Sequence, residues 1–213
     1  MTSAHIIVLP GGGYEMHAPH EAEPVAEWLR EVGVAAGVFR YPVKTLHPGP
    51  LLAIQDEVRR VRAAGAERVG LLGFSAGGHA AGHAALQVGA GDATVDAAIL
   101  CYPVVSMQLE THAGSRANLI GADATPQLQE ATSLDRLVTA SAPPFFIWHT
   151  VEDDAVPVEH SYLLGQALAA QHVPHSLHVF PRGQHGIGFG ADAGTASAWP
   201  ALAADWLREL GWA

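Results

Sequence analysis

The sequence predicts an α/β fold: a mainly parallel sheet of six strands with helices on both faces. Two observations carry this prediction. Short apolar runs alternate along the whole chain with segments whose apolar residues recur every three to four positions, the pattern of strands joined by crossover helices. The strand runs are apolar nearly throughout, as strands covered on both faces must be.

His5 to Leu9 is the first strand, closed by Pro10-Gly11-Gly12-Gly13. Glycines in such number after a strand let backbone N–H groups converge on an anion. A phosphate loop would end in Gly-Lys-Ser/Thr and a dinucleotide fingerprint would run Gly-x-Gly-x-x-Gly; Tyr14 and Glu15 break both patterns. From Glu21 to Val32 the residues Val25, Trp28, Leu29 and Val32 recur at helical spacing, with acidic residues in the first turn and Gly33 behind them. Val34 to Phe39 is the second strand and Pro50 to Ala64 the second helix, with Leu51, Ile54, Val58 and Val61 as its stripe. Val69 to Leu72 forms the third strand, and Ala76 to Leu86 the helix that follows.

Ala97 to Tyr102 is the fourth strand, halted by Pro103. Residues 104 to 142 are the least regular, with Thr111 to Ser115 as loop and one or two short helices between Gln127 and Val138. Phe145 to His149 is the fifth strand, Val158 to Gln171 a helix, and Ser176 to Phe180 the sixth strand. The closing helix repeats Trp199, Leu202, Ala203, Trp206, Leu207 and Leu210 on one face, so it should pack on the sheet.

A chain of 213 residues, 49% hydrophobic and 15% charged, fits one domain spanning 1–213 with a sizeable core. The formal charge of −10 argues against a nucleic-acid or anionic-membrane partner, either of which calls for a basic patch. A single cysteine, Cys101, lies in an apolar run and requires no oxidising compartment. The amino terminus leads directly into Ile6-Ile7-Val8-Leu9 without a basic or long apolar leader, and no apolar run approaches the roughly 20 residues of a membrane span. The expectation is a soluble cytoplasmic protein; composition specifies no oligomeric state.

The stretch that carries chemistry is Gly73-x-Ser75-x-Gly77, set where the third strand turns into its helix. In such a turn the serine sits in strained backbone, and side chains at the flanking positions would collide across the bend. The bare pattern fits an ordinary glycine-serine loop equally well, so its neighbours decide. In an open α/β sheet, ligands gather outside the carboxyl ends of the strands. At that edge the sequence also places Gly11-Gly12-Gly13 after the first strand, Glu152-Asp153-Asp154 after the fifth and His185 after the sixth. A nucleophile, an acid, a base and an anion cradle thus share one rim, in the chain order Ser, Asp, His.

At these residues the chain resembles the α/β-hydrolase superfamily over nearly its whole length, and more closely the compact bacterial esterases of the dienelactone-hydrolase, acetyl-xylan-esterase or feruloyl-esterase-like type. Four stretches carry the resemblance: Pro10 to Tyr14, Gly73 to His79, Asp153 to Pro157 and Gly183 to Gly186. It implies a sheet order 2-1-3-4-5-6, a catalytic triad of Ser75, Asp153 and His185, and an oxyanion hole built from the N–H groups of Gly12, Gly13 and Ala76. Asp153 is chosen among its acidic neighbours because it stands three residues before Val156-Pro157, the family's spacing. Proline stands where related lipases often have histidine before the glycines, and the chain starts at what would be the family's third strand. The expected domain is therefore trimmed at its amino terminus, with no large cap.

The implied activity is that of a serine carboxylic-ester hydrolase working through an acyl-enzyme on short acyl esters, with no cofactor and no metal, and with acetylated sugars as substrates by family likeness. A thioesterase or peptidase with the same triad, and a non-catalytic binding protein on the same scaffold, are the alternatives. His79 and His83, four apart on a helix, lack the Glu of a His-Glu-x-x-His zinc motif and are read as packed. His17, His20, His47 and His112 fall in rim loops and are read as solvated, whereas His149, His175 and His178 are read as structural. Ser115 and Arg116 fit either a substrate contact or a turn.

Overall fold

A computed structural model describes residues 3–190 and 193–213; the terminal Met1-Thr2 and the pair Ala191-Asp192 lie outside the described residues. The strands are β1 (Ala4–Leu9), β2 (Ala35–Val38), β3 (Arg68–Phe74), β4 (Ala97–Cys101), β5 (Phe145–Thr150) and β6 (His175–Phe180). They form one open sheet in the order β2-β1-β3-β4-β5-β6, and every pair is parallel. This is the order the sequence resemblance implies. The chain winds outward first to β2 and then crosses back past β1 to β3, so a crevice opens between the carboxyl ends of β1 and β3.

The helices are α1 (Glu23–Glu31), α2 (Gly49–Ala63), α3 (Ala76–Ala85), α4 (Ala113–Ile120), α5 (Pro126–Ala131), α6 (Leu134–Leu137), α7 (Glu159–Ala170) and α8 (Trp199–Glu209). Strand parity sorts the core into two layers. Ile7, Leu9, Leu71, Leu100 and Ile147 face α2, α3 and α7, meeting Ile54, Val58, Ala81, Leu164 and Leu168. Ile6, Val8, Leu72, Ile99 and Trp148 face α1 and α8, meeting Val25, Leu29, Trp199 and Leu207. Both layers are buried, which is why the strands read as continuous apolar runs.

One local expectation fails. The stretch from Thr111 to Ser115, read as loop, contains the first turn of α4, whose N-cap is His112: its ring accepts the Ser115 N–H at 3.1 Å. Capping is ordinarily supplied by Ser, Thr, Asp or Asn, so a histidine leaves no familiar start signal. The short helices α5 and α6 fall where the sequence places them. Among the described residues no helix is long and apolar enough to cross a membrane.

Candidate active site

Three loops at the carboxyl edge of the sheet bring Ser75, Asp153 and His185 together. β3 ends at Phe74, and Ser75 turns the chain directly into α3 with φ 52° and ψ −118°. A residue bearing a Cβ adopts this conformation only under strain. The bend is so tight that a Cβ on Gly73 would overlap the Gly77 carbonyl, and one on Gly77 the Leu9 carbonyl. Both glycines are therefore sterically required. Ser75 Oγ lies 2.7 Å from His185 Nε2, and His185 Nδ1 lies 2.7 Å from Asp153 Oδ2. A neutral imidazole so placed can take the hydroxyl proton while the carboxylate fixes its tautomer and offsets the charge it gains.

Asp153 is enclosed by donors. Its Oδ1 accepts the N–H groups of Ala155 at 3.0 Å and Val156 at 2.8 Å, and its Oδ2 is also 3.1 Å from His149 Nε2. Burial alone pushes this carboxyl up, but hydrogen bonds from His149 and His185, the charge of His185 and the Val156 N–H outweigh it and hold the group well below the usual carboxylate range. Of its acidic neighbours, Glu152 accepts the Gly183 N–H at 3.1 Å and Asp154 is exposed. His149, read from sequence as structural, is fully buried, and its Nδ1 is 2.8 Å from Ser161 Oγ. It supports the acid directly.

The glycine loop is fixed along its length. Tyr41 Oη donates to the Pro10 carbonyl at 2.9 Å, the Gly11 N–H donates to Glu21 Oε2 at 2.8 Å, Asn118 Nδ2 donates to the Gly13 carbonyl at 2.9 Å, and the Lys44 N–H donates to the Tyr14 carbonyl at 2.7 Å. The N–H groups of Gly12 and Gly13 take no part in these bonds. Gly12, Gly13, Ser75 and His185 line one cleft of about 310 Å³. Ala76 is buried as the first residue of α3, where a backbone N–H has no acceptor within the helix and the helix dipole is positive. The expected oxyanion-hole residues thus flank the serine.

Of the rim histidines, His20 and His112 line the cleft. His17 instead packs edge-on against Tyr41, and His47 stacks on His83 with ring centroids 5.2 Å apart. His79 is packed as expected, with its ring nitrogens 2.7 Å from Tyr14 Oη and from the Thr132 carbonyl. Ser115 is buried in the first turn of α4, its Oγ 2.9 Å from His112 Nδ1. Sequence reasoning missed Glu21, Tyr102 and Asn118 as parts of this site. In the sequence Glu21 reads only as an acidic residue in the first turn of the predicted helix, whereas the structure sets it in the 3-10 turn ahead of α1.

Residues 51–210 match the model of the prolyl oligopeptidase family. The chain belongs to that family. Its α/β-hydrolase resemblance, read from the four motif stretches, is thereby borne out. Among solved structures, the acetyl ester-xyloside bifunctional hydrolase from Caldicellulosiruptor lactoaceticus superposes with a TM-score of 0.94 at 38% identity, covering 98% of this chain and 84% of that one. Endo-1,4-beta-xylanase B of Butyrivibrio fibrisolvens is 36% identical over 203 residues, 85% of this chain and 32% of that protein. The acetylxylan esterase of Xylanibacter ruminicola is 30% identical over 200 residues, 87% of this chain and 41% of that protein. The chain spans less than half the length of either curated relative.

Proposed function

We propose that this chain is a serine carboxylic-ester hydrolase that removes acetyl and other short acyl groups from sugar hydroxyls. The observation that carries the proposal is the unbroken hydrogen-bonded chain from a strained serine through His185 to Asp153, with both links at 2.7 Å. In this reading Ser75 Oγ attacks the ester carbonyl carbon while His185 Nε2 takes the hydroxyl proton. The negative charge that develops on the carbonyl oxygen is met by the N–H groups of Ala76, Gly12 and Gly13. The C–O bond to the sugar then breaks, and His185 returns the proton to the leaving alcohol oxygen. Water, deprotonated by the same ring, then attacks the acyl carbon; the bond to Ser75 Oγ breaks, His185 returns the proton to that oxygen, and the carboxylic acid leaves with Ser75 free.

The cleft supports a short acyl group. Of the described residues that line it, six are glycine or alanine (Gly12, Gly13, Ala18, Gly114, Ala155, Gly186), most of the others are polar, and Met16 is the only large apolar side chain among them. A longer chain gains about 0.8 kcal/mol per methylene only where an apolar wall buries it. The polar groups at the rim, His20, His112 and Asn118, suit hydroxyl-bearing leaving groups. The names of the similar proteins, an acetylxylan esterase and an acetyl ester-xyloside hydrolase, favour the same substrate class.

The test combines a fluorophosphonate label with a substrate panel. Intact-mass analysis should find a single label, absent in Ser75→Ala. kcat/KM should be highest for acetyl to butyryl p-nitrophenyl esters and fall at octanoyl and palmitoyl, and acetate should be released from acetylated xylo-oligosaccharides. An unlabelled, inactive chain would favour a binding protein on a hydrolase scaffold. A preference for peptide anilides over every ester would favour a peptidase.

A further inference from the structure

Among the described residues, the proposed mechanism leaves one buried acidic group without a role. Glu21 ends the short 3-10 turn Pro19–Glu21, is 2% exposed, and lines the cleft beside Ser75 and His185. A carboxylate this deep is costly unless donors replace its water. Two do so, and they belong to opposite sides of the site. Glu21 Oε2 accepts the Gly11 N–H at 2.8 Å, and Oε1 accepts the Tyr102 hydroxyl at 2.6 Å. The Tyr102 oxygen in turn accepts the Gly188 N–H at 2.9 Å. One side chain therefore ties the residue immediately before Gly12-Gly13 to the loop that carries His185.

The surroundings are built around this link. A Cβ on Gly11 would stand 2.6 Å from Glu21 Oε2, so the carboxylate's approach depends on that glycine. Tyr102 follows β4 at φ 37° and presents its ring edge-on to His185, centroids 5.1 Å apart. Burial, together with the Glu21 charge, pushes the Tyr102 hydroxyl well up, which keeps it a proton donor to the carboxylate. The same turn grips both loops a second time: the Ala18 N–H donates to the Gly11 carbonyl at 2.9 Å, and the His20 ring is 2.8 Å from the Gly186 carbonyl.

We infer that Glu21 is a positioning residue that sets the spacing between the oxyanion-binding glycines and the general base. The inference rests on the ester-hydrolase reading. Gly12 and Gly13 can meet a developing negative charge only if their N–H groups are held in place before the reaction begins, and the base must reach both Ser75 Oγ and the leaving oxygen from a fixed distance. The substrate carbonyl carries little charge before attack. Displacing these donors therefore weakens transition-state binding more than ground-state binding, and kcat falls more than KM rises.

The test uses Glu21→Gln and Tyr102→Phe. The Gln variant keeps length and volume but sets an amide N–H₂ against one of the two donors; the Phe variant cuts only the arm to the His185 loop. With p-nitrophenyl acetate, Glu21→Gln should lower kcat by about 10- to 100-fold with KM nearly unchanged, a fraction of the loss from deleting an oxyanion donor outright. The rate of phosphonylation at Ser75 should fall in parallel. Tyr102→Phe should give a smaller drop, and the double variant should be no slower than Glu21→Gln, because the two changes break one connection. Thermal unfolding establishes that each variant is folded; if Glu21→Gln is not, Tyr102→Phe decides by the same kcat and phosphonylation readouts. Wild-type kcat in a folded variant, or a loss confined to KM, overturns the inference. Failure of the wild-type chain to turn over any acetyl ester overturns the ester reading instead, and phosphonylation rates then still report on the positioning role.

Discussion

At the scale of single residues, the acidic run Glu152-Asp153-Asp154 shows how neighbours of like charge separate by role. Only Asp153 points into the sheet edge, where its oxygens meet two ring nitrogens and two backbone N–H groups. Asp153→Asn should lower kcat by roughly ten-thousand-fold in a folded protein, because an amide can present an N–H to His185 Nδ1 and favour the wrong tautomer. Asp154→Asn should leave kcat within about twofold, as exposed substitutions away from a site generally do. Steady-state kinetics on the pair checks the assignment, and the reverse order of damage would move the acid to Asp154. Glu21 and Tyr102 could not be assigned in the same way from sequence. Glu21 lies 10 residues from Gly11 and 81 from Tyr102 along the chain, and no local pattern encodes such a meeting.

At the scale of elements, the turn from β3 into α3 is specified by sterics that the sequence displays openly. Gly77 is packed under the carbonyls of Leu9 and Pro10, so the turn and the end of β1 define each other. Backbone cannot yield as a flexible side chain does. Gly77→Ala should therefore destabilise the fold by about 3 kcal/mol or more, measured as a fall in the urea midpoint. A midpoint unchanged from wild type would show that the turn relaxes and that strain at Ser75 is not enforced by its neighbours. Helix α4 is the opposite case. Its cap is a histidine, and Gly114 and Asn118 lie within it, so propensity argues against a helix there. Its existence follows from burial of Leu119 and Ile120 against the core and from the bond between Asn118 and Gly13. Tertiary contacts override the local preference.

At the scale of the whole molecule, buried histidines couple stability to pH. Burial pushes His79 down to about 4 and His83 well below its ordinary value, and it lowers His47 and His160 as well. Below the unfolded value near 6.5, each binds fewer protons in the folded than in the unfolded chain. Their contribution to stability is thus complete above about 6.5 and is progressively lost as pH falls below it, on the order of 3 kcal/mol by about pH 4 from His79 alone. Asp153 adds a loss of the same sign at lower pH, since its depressed folded value makes its contribution complete only above about 4. Tm should fall steadily from pH 7 to pH 4.5, and less steeply in His79→Gln; a Tm flat across that range would mean that these rings gain protons without opening the fold.

The sequence by itself determined the class of fold, the strand order through its family motifs, and the positions of Ser75, Asp153 and His185. Each of those features is local: an apolar run, a glycine at a forbidden bend, a carboxylate three residues before Val156-Pro157. The tertiary structure alone decided what holds those residues in register. His149 beneath the acid, Asn118 on the Gly13 carbonyl, and Glu21 with Tyr102 between the two loops act through hydrogen bonds whose partners the fold brings together. Such bonds leave no periodicity and no spacing in the chain, because a buried polar group is satisfied by whatever donor the packing places beside it.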